Sequence, residues 1–194
     1  MEDQSNIVIA GFFRTGNTFL ETCIESMYKD VKCMSLHEHS VIYLSKQVEQ
    51  KNNIIVPIRN PIDTIASFYE FKKFLNRKDA GVNIDLDIKF YTRYMNYVYE
   101  NFDNILCLDF DIFTKNLDYI SNLISKKFKI KKTNTADLDL INEYMERNKK
   151  MFFNKRSEYL PDLKIKEDFL KLNETQEAIE IYSKIKEKME KSNV

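Results

Sequence analysis

Short apolar runs alternate along this chain with longer stretches whose apolar residues recur every three to four positions. The runs Asn6–Ala10, Val31–Leu36, Asn53–Ile58 and Asn104–Asp109 read as strands. Between the first two, Phe19, Leu20, Cys23, Ile24 and Met27 share one helical face, which predicts a helix over Thr18–Tyr28. Ser40 is placed to cap a helix carrying Val41, Leu44 and Val48. Asn53–Ile58 is apolar throughout, as suits a central strand, and its Pro57 should sit at the strand's end because proline removes a ladder donor. Asn60 and Pro61 then read as a cap and a first helical residue, with Ile62, Ile65, Ala66 and Tyr69 continuing the helix. Lys72–Asp85 is charged and irregular. Helical spacing resumes over Leu86–Asn101, where Phe90, Tyr91, Tyr94, Tyr97 and Val98 form a broad face expected to be core. Helices are also predicted over Phe113–Phe128, Ala136–Lys150 and from about Lys164 onward, with a loop at Met151–Asp162.

Strands that alternate with helices predict an α/β fold. The expectation is a single domain over residues 1–194, with a central, mostly parallel sheet flanked by helices. Its core spans about 5–128, and a helical C-terminal part spans about 136–190. The first strand, loop and helix have a P-loop-like arrangement. Ligands in such folds sit beyond the carboxyl ends of the strands. Arg14, His37, Arg59 and Asp109 all follow predicted strands, so one edge of the sheet should collect them.

Composition narrows the function classes. Lys+Arg and Asp+Glu both number 30, which gives no general case for nucleic acid or an anionic membrane. No apolar run approaches the ~18 residues of a membrane span. The acidic, polar start Met1–Asn6 does not resemble a signal peptide, and the expected location is cytoplasmic. Cys23, Cys33 and Cys107 are isolated and are expected to be small buried hydrophobes. No zinc-ligand spacing surrounds His37 and His39, so no metal is expected. Lys126–Lys132 is a basic run that reads as a solvated helix end and turn.

The candidate chemistry begins at Gly11–Thr18. Gly11 and Gly16 are two of only three glycines in 194 residues. Their spacing is that of a phosphate loop, G-x-x-x-x-G-K-[ST], with Asn17 in place of the lysine. A bend of this kind opening into a helix offers N–H groups and a positive dipole end to an anion. Arg14 is the loop's only cation.

Two segments then match a known family. Phe13–Leu20 (Phe-Arg-Thr-Gly-Asn-Thr-Phe-Leu) resembles the phosphosulfate loop of sulfotransferases that use 3′-phosphoadenosine 5′-phosphosulfate (PAPS). Ile55–Tyr69 resembles their 3′-phosphate segment, R-N-P-x-D-x-x-x-S, with Arg59, Asn60, Pro61, Asp63 and Ser67 in register. Phe13 departs from the usual proline, and arginine at position 14 is closer to carbohydrate-type members. Leu108–Asp111 is similar to a later Y-E-D segment. The family's R-K-G loop has only Asn154–Ser157 as a counterpart, without the glycine.

The resemblance implies PAPS as co-substrate. Arg14, Thr15, Gly16, Asn17, Thr18 and Phe19 would hold the phosphosulfate, and Arg59, Ser67 and Arg156 the 3′-phosphate. Arg14 would stabilise the leaving phosphate oxygen. His37 would be the base that deprotonates the acceptor, with Glu38 and His39 in reserve. The acceptor, a carbohydrate or small molecule by preference, is not encoded, and a homodimer could complete its cleft. Two alternatives stay open: a P-loop kinase or nucleotidase with Asp109 near magnesium, and a nucleotide-binding module without chemistry.

Overall fold

A computed structural model describes residues 6–35, 39–74, 83–135, 139, 141–143, 146 and 163–192. Four strands, β1 (Asn6–Ile9), β2 (Lys32–Ser35), β3 (Asn53–Ile58) and β4 (Ile105–Asp109), form one parallel sheet in the order β2-β1-β3-β4. Every pairing is parallel: Ile9 sits opposite Ser35 and Ile55, and Ile58 opposite Asp109. The α/β fold with a parallel sheet is therefore the one the alternation predicts.

Side chains alternate between the two faces of the sheet, as the pleat requires. Val8, Ile54, Val56, Ile58, Ile105 and Cys107 enter one buried cluster. Ile7, Ile9, Ile55, Leu106 and Leu108 enter the other. The second layer is covered by α1 (Asn17–Met27) and α6 (Leu117–Phe128). The first is covered by α2 (Val41–Glu49), α3 (Pro61–Phe74), α4 (Ile84–Glu100), α7 (Leu163–Leu170) and α8 (Asn173–Ser192). A single 3₁₀ turn (Phe102–Asn104) precedes β4, and a one-turn α5 (Phe110–Phe113) follows it. No described helix is long and apolar enough to cross a membrane.

The caps behave as the sequence suggests, and move some boundaries. Ser40 Oγ accepts from Tyr43 N at 3.2 Å, and Asn60 Oδ1 from Ile62 N at 2.9 Å, with Pro61 opening α3. The helix expected to start at Leu86 starts at Ile84, because Asn83 caps it through Leu86 N. The helix expected from Phe113 is two elements: Asn116 caps a new helix through Tyr119 N and separates α5 from α6. The stretch expected to be irregular from Lys72 is still helical to Phe74. Lys72 is anchored there, 2.7 Å from both carboxylate oxygens of Asp87 and over the Phe68 ring. Pro57 lies one residue inside the end of β3, not at it. Ile55 turns its carbonyl to Ala10 N, and Pro57, two residues on, faces the same side beyond the last residue of β1. The donor it lacks has no ladder partner to serve.

Of the predicted helix Ala136–Lys150, the described residues Asp139, Ile141–Glu143 and Glu146 are helical. The predicted loop Met151–Asp162 lies outside the described residues, as do residues 75–82. Cys23 and Cys107 are buried as expected, and Cys33, on the edge strand, is half-buried. Burial pushes all three thiols up to about 12.

Candidate active site

The chain runs outward from β1 to β2, then returns to the other side of β1 as β3. The carboxyl ends of β1 and β3 therefore flank the topological switch point, where a parallel sheet opens a crevice. Both sequence segments leave the sheet there.

The loop after β1 is shaped by contacts a larger residue could not make. A Cβ on Gly11 would lie 2.0 Å from Asn17 Oδ1 and 2.6 Å from Thr15 Oγ1. Gly16 has φ +91°, and a Cβ there would meet the Phe110 ring at 2.9 Å. Arg14 also has positive φ, at 62°. That conformation is unfavourable for a residue with a side chain, so neighbouring contacts must hold it. Thr15 is fully buried and its hydroxyl donates to Phe12 O at 2.7 Å. Asn17 Nδ2 donates to Gly11 O and Phe12 O, both at 3.2 Å. Asn17, which replaces the lysine of a P-loop, is thus an internal brace of the bend.

The bend delivers the N-terminus of α1. Gly16 occupies the cap position and offers no side-chain cap, and the first turn carries no acidic residue. Ser40, Asn60, Asn83, Asp109 and Asn116 supply side-chain acceptors at the starts of α2 to α6. At α1 the first helical bond is Leu20 N to Gly16 O at 3.0 Å. The N–H groups before it, on Gly16, Asn17, Thr18 and Phe19, are the donors that an anion satisfies at a helix start.

The segment after β3 closes on this loop. Arg59 NH1 donates to the carbonyl of Arg14 at 2.8 Å, and Arg14 Nε donates to Ser67 Oγ at 3.2 Å. The Arg59 guanidinium lies over the Phe110 ring at 4.4 Å, and that of Arg14 over Phe71 at 5.2 Å. Residues read from sequence as two separate anion sites are therefore bonded to each other. Arg59 also steadies the strained bend through its carbonyl.

Several supports carried no signal of their own. Tyr94 donates its hydroxyl to Ala10 O, and Tyr91 to Arg59 O at 2.9 Å. Both belong to the helical stripe expected to be core, and they are core. Their hydroxyls, however, tie down the ends of β1 and β3. Burial raises both phenols well above their ordinary range, so they remain donors. Phe110 touches both Arg59 and Gly16, a role that an isolated phenylalanine after a strand does not announce.

His39 Nδ1 lies 2.6 Å from Gly11 O, and its ring is 3.9 Å from that of Phe13. A carbonyl oxygen only accepts, so Nδ1 bears the proton. Phe13 is held between this imidazole and Phe68 (4.4 Å, stacked). His37, Glu38 and Arg156 lie outside the described residues.

Asp109 is committed elsewhere. One carboxylate oxygen caps α5 through Asp111 N at 2.9 Å, and the other pairs with Lys186 of α8. Both oxygens thus have protein partners in place of the magnesium that the kinase alternative would put there. Among the described residues no group of three or more His, Cys, Asp or Glu could hold a metal ion.

No protein-family model matches the chain, and no curated protein matches its sequence. Among solved structures, the fold is similar to that of the mouse sulfotransferase SULT7A1 complexed with PAP. The identity is 14% and the TM-score 0.49, over 72% of this chain and 63% of that one. The chain thus spans less than two thirds of the sulfotransferase it matches. At this distance no residue role transfers from it.

Proposed function

We propose that this chain is a sulfotransferase that moves a sulfuryl group from PAPS to a hydroxyl or amine. The observation that carries the reading is the joining of the two segments. Arg59 meets the Arg14 carbonyl and Arg14 meets Ser67, across 45 and 53 residues of sequence, beside an α1 start with no side-chain cap.

In this reading the N–H groups of Gly16 to Phe19 bind the 5′-phosphosulfate. Thr15 and Asn17 contribute by shaping the loop, because their side chains are bonded inside it. Thr18, exposed at the first turn, adds its hydroxyl. Arg59 and Ser67 bind the 3′-phosphate, with Arg156 as a further cation. The acceptor oxygen or nitrogen attacks sulfur as the bond from sulfur to the bridging phosphate oxygen breaks. Negative charge grows on that oxygen, and Arg14, bonded at Ser67, is the cation between the two subsites that neutralises it. The acceptor's proton goes to a general base. His37 is the first candidate, with His39 and Glu38 in reserve. The remaining proposals are a cytoplasmic enzyme of one domain, a carbohydrate or small-molecule acceptor, and a homodimer.

The test is transfer of labelled sulfate from PAPS to pooled sugars, phenols, lipids and peptides. Labelled product is the expected result. Tight binding of the bisphosphate product PAP with no transfer would leave a binding module. Magnesium-dependent phosphoryl transfer from ATP would replace the reading with a kinase.

A further inference from the structure

The basic run Lys126–Lys132 has no part in the chemistry above, and the structure puts its first half beside a cavity. The cavity measures about 360 Å³ and opens at the amino end of β4, away from the switch point. Its floor is apolar: Ile105, Leu106 and Cys107 of the strand, Leu123 of α6 and Met189 of α8. Burial holds the Cys107 thiol at about 12, so this part of the floor stays neutral. Lys126, Lys127 and Lys129 stand at the rim.

The three ammonium groups bond to neutral oxygens. Lys127 donates to Asp103 O at 2.5 Å, Lys129 to Lys126 O at 2.9 Å and Lys126 to Ser192 O at 3.3 Å. None of the three belongs to an ion pair among the described residues. Asp103 is the one acid in the lining, and it meets Lys127 through its main chain. Three lysines thus line one concavity together with Ile105, Leu106, Cys107, Leu123 and Met189. A small inorganic anion would satisfy the lysines and leave the floor wet. A neutral apolar molecule would cover the floor and leave the charges unanswered. An amphiphile with an anionic head does both.

We propose that this pocket binds a single-chain carboxylate amphiphile, its head at Lys126, Lys127 and Lys129 and its tail over Leu106, Leu123 and Met189. The volume is at the low end for ligand pockets, which selects a medium chain over a long one. The site is separate from the nucleotide crevice and does not depend on the sulfotransferase reading. Its ligand would join the end of α6 to the end of α8.

The probe is monomeric sodium decanoate, followed by calorimetry on the full chain, with decanol and sodium sulfate as tail-only and head-only controls. Saturable decanoate binding is expected, at least tenfold tighter than either control and weakening as salt rises. The Lys126→Gln, Lys127→Gln, Lys129→Gln triple variant should lose tenfold or more in affinity. Absence of saturable binding, equal binding of decanol, or full affinity in the triple variant would overturn the proposal. A measurement on the unaltered protein guards against a variant that fails to fold. The methyl resonances of Met189 and Leu106 should shift during the decanoate titration. Shifts confined to other residues would place the ligand elsewhere and refute the site.

Discussion

The two ends of the sheet both gather cations, and they do so in opposite ways. At the carboxyl end, Arg14 and Arg59 are fixed by each other's segment, by Ser67 and by aromatic rings. The backbone beneath them is strained at Arg14, and a helix start without a side-chain cap sits alongside. At the amino end, three lysines on flexible stems lean on carbonyl oxygens around an apolar floor. Arginine's planar fork suits oriented contact with phosphate, whereas lysine's point charge suits a mobile head group. A net charge of zero conceals both regions. Charge balance over a whole chain therefore says little about where an anion can bind.

The largest effect should come from Arg14. Arg14→Ala is expected to lower turnover about 10²–10³-fold, equivalent to ~2.7–4 kcal/mol, while PAP affinity stays within about tenfold. Arg14→Gly is the sharper control. It relieves the positive φ and should keep the fold while losing the same turnover. Full activity in either variant would remove the functional half of the comparison.

Arg59→Ala should act next, and mainly on binding. Losing a hydrogen bond to a charged group is worth about 1.5–3 kcal/mol, or roughly ten- to a hundredfold in PAP affinity by calorimetry. Because Arg59 also holds the Arg14 carbonyl, turnover should fall as well. Unchanged affinity would mean that its role is only to brace the loop.

Gly16→Ala probes the loop without touching charge. The added Cβ must occupy a left-handed position and press on Phe110 and Phe113. The expected loss is about 1–3 kcal/mol of stability, read by denaturant unfolding. No loss would show that the loop yields easily.

The smallest effect is general. The three thiols are raised from 9.0 to about 12 by burial, so the unfolded chain gives up these protons first as pH rises. Fewer protons bound in the unfolded state means falling stability, beginning near pH 9 and growing toward 12. Cys107→Ala should flatten part of that decline in pH-dependent melting. An identical profile would mean the thiol's surroundings are wetter than its burial implies.

Much of the fold was legible because its signals are local. Apolar runs without alternation mark strands buried on both faces, and Ser40 and Asn60–Pro61 mark helix starts by their own chemistry. Of the boundaries that moved, two were set by local caps, Asn83 and Asn116, and one by a partner further off, Asp87, which holds Lys72 near the end of α3. In the site, Gly11 and Gly16 stood out by spacing, Arg14 as the loop's only cation, and Arg59 and Ser67 through the resemblance to the sulfotransferase segment. Tyr91, Tyr94 and Phe110 did not, because an aromatic residue on an apolar face has the same pattern whether or not its far end serves a loop.

The sequence by itself determined the alternation of strands and helices, the glycine-framed bend and the helix start at Asn60–Pro61, since these depend on spacing and on each residue's own conformational range. Only the tertiary structure decided that Asn17 turns inward to brace the bend. It alone set the Arg59 guanidinium against the Arg14 carbonyl, joined Arg14 to Ser67, and committed Asp109 to Lys186. Each of those is a choice among hydrogen-bond partners. A side chain can make that choice only when the sheet has brought the candidates within about 3 Å of one another.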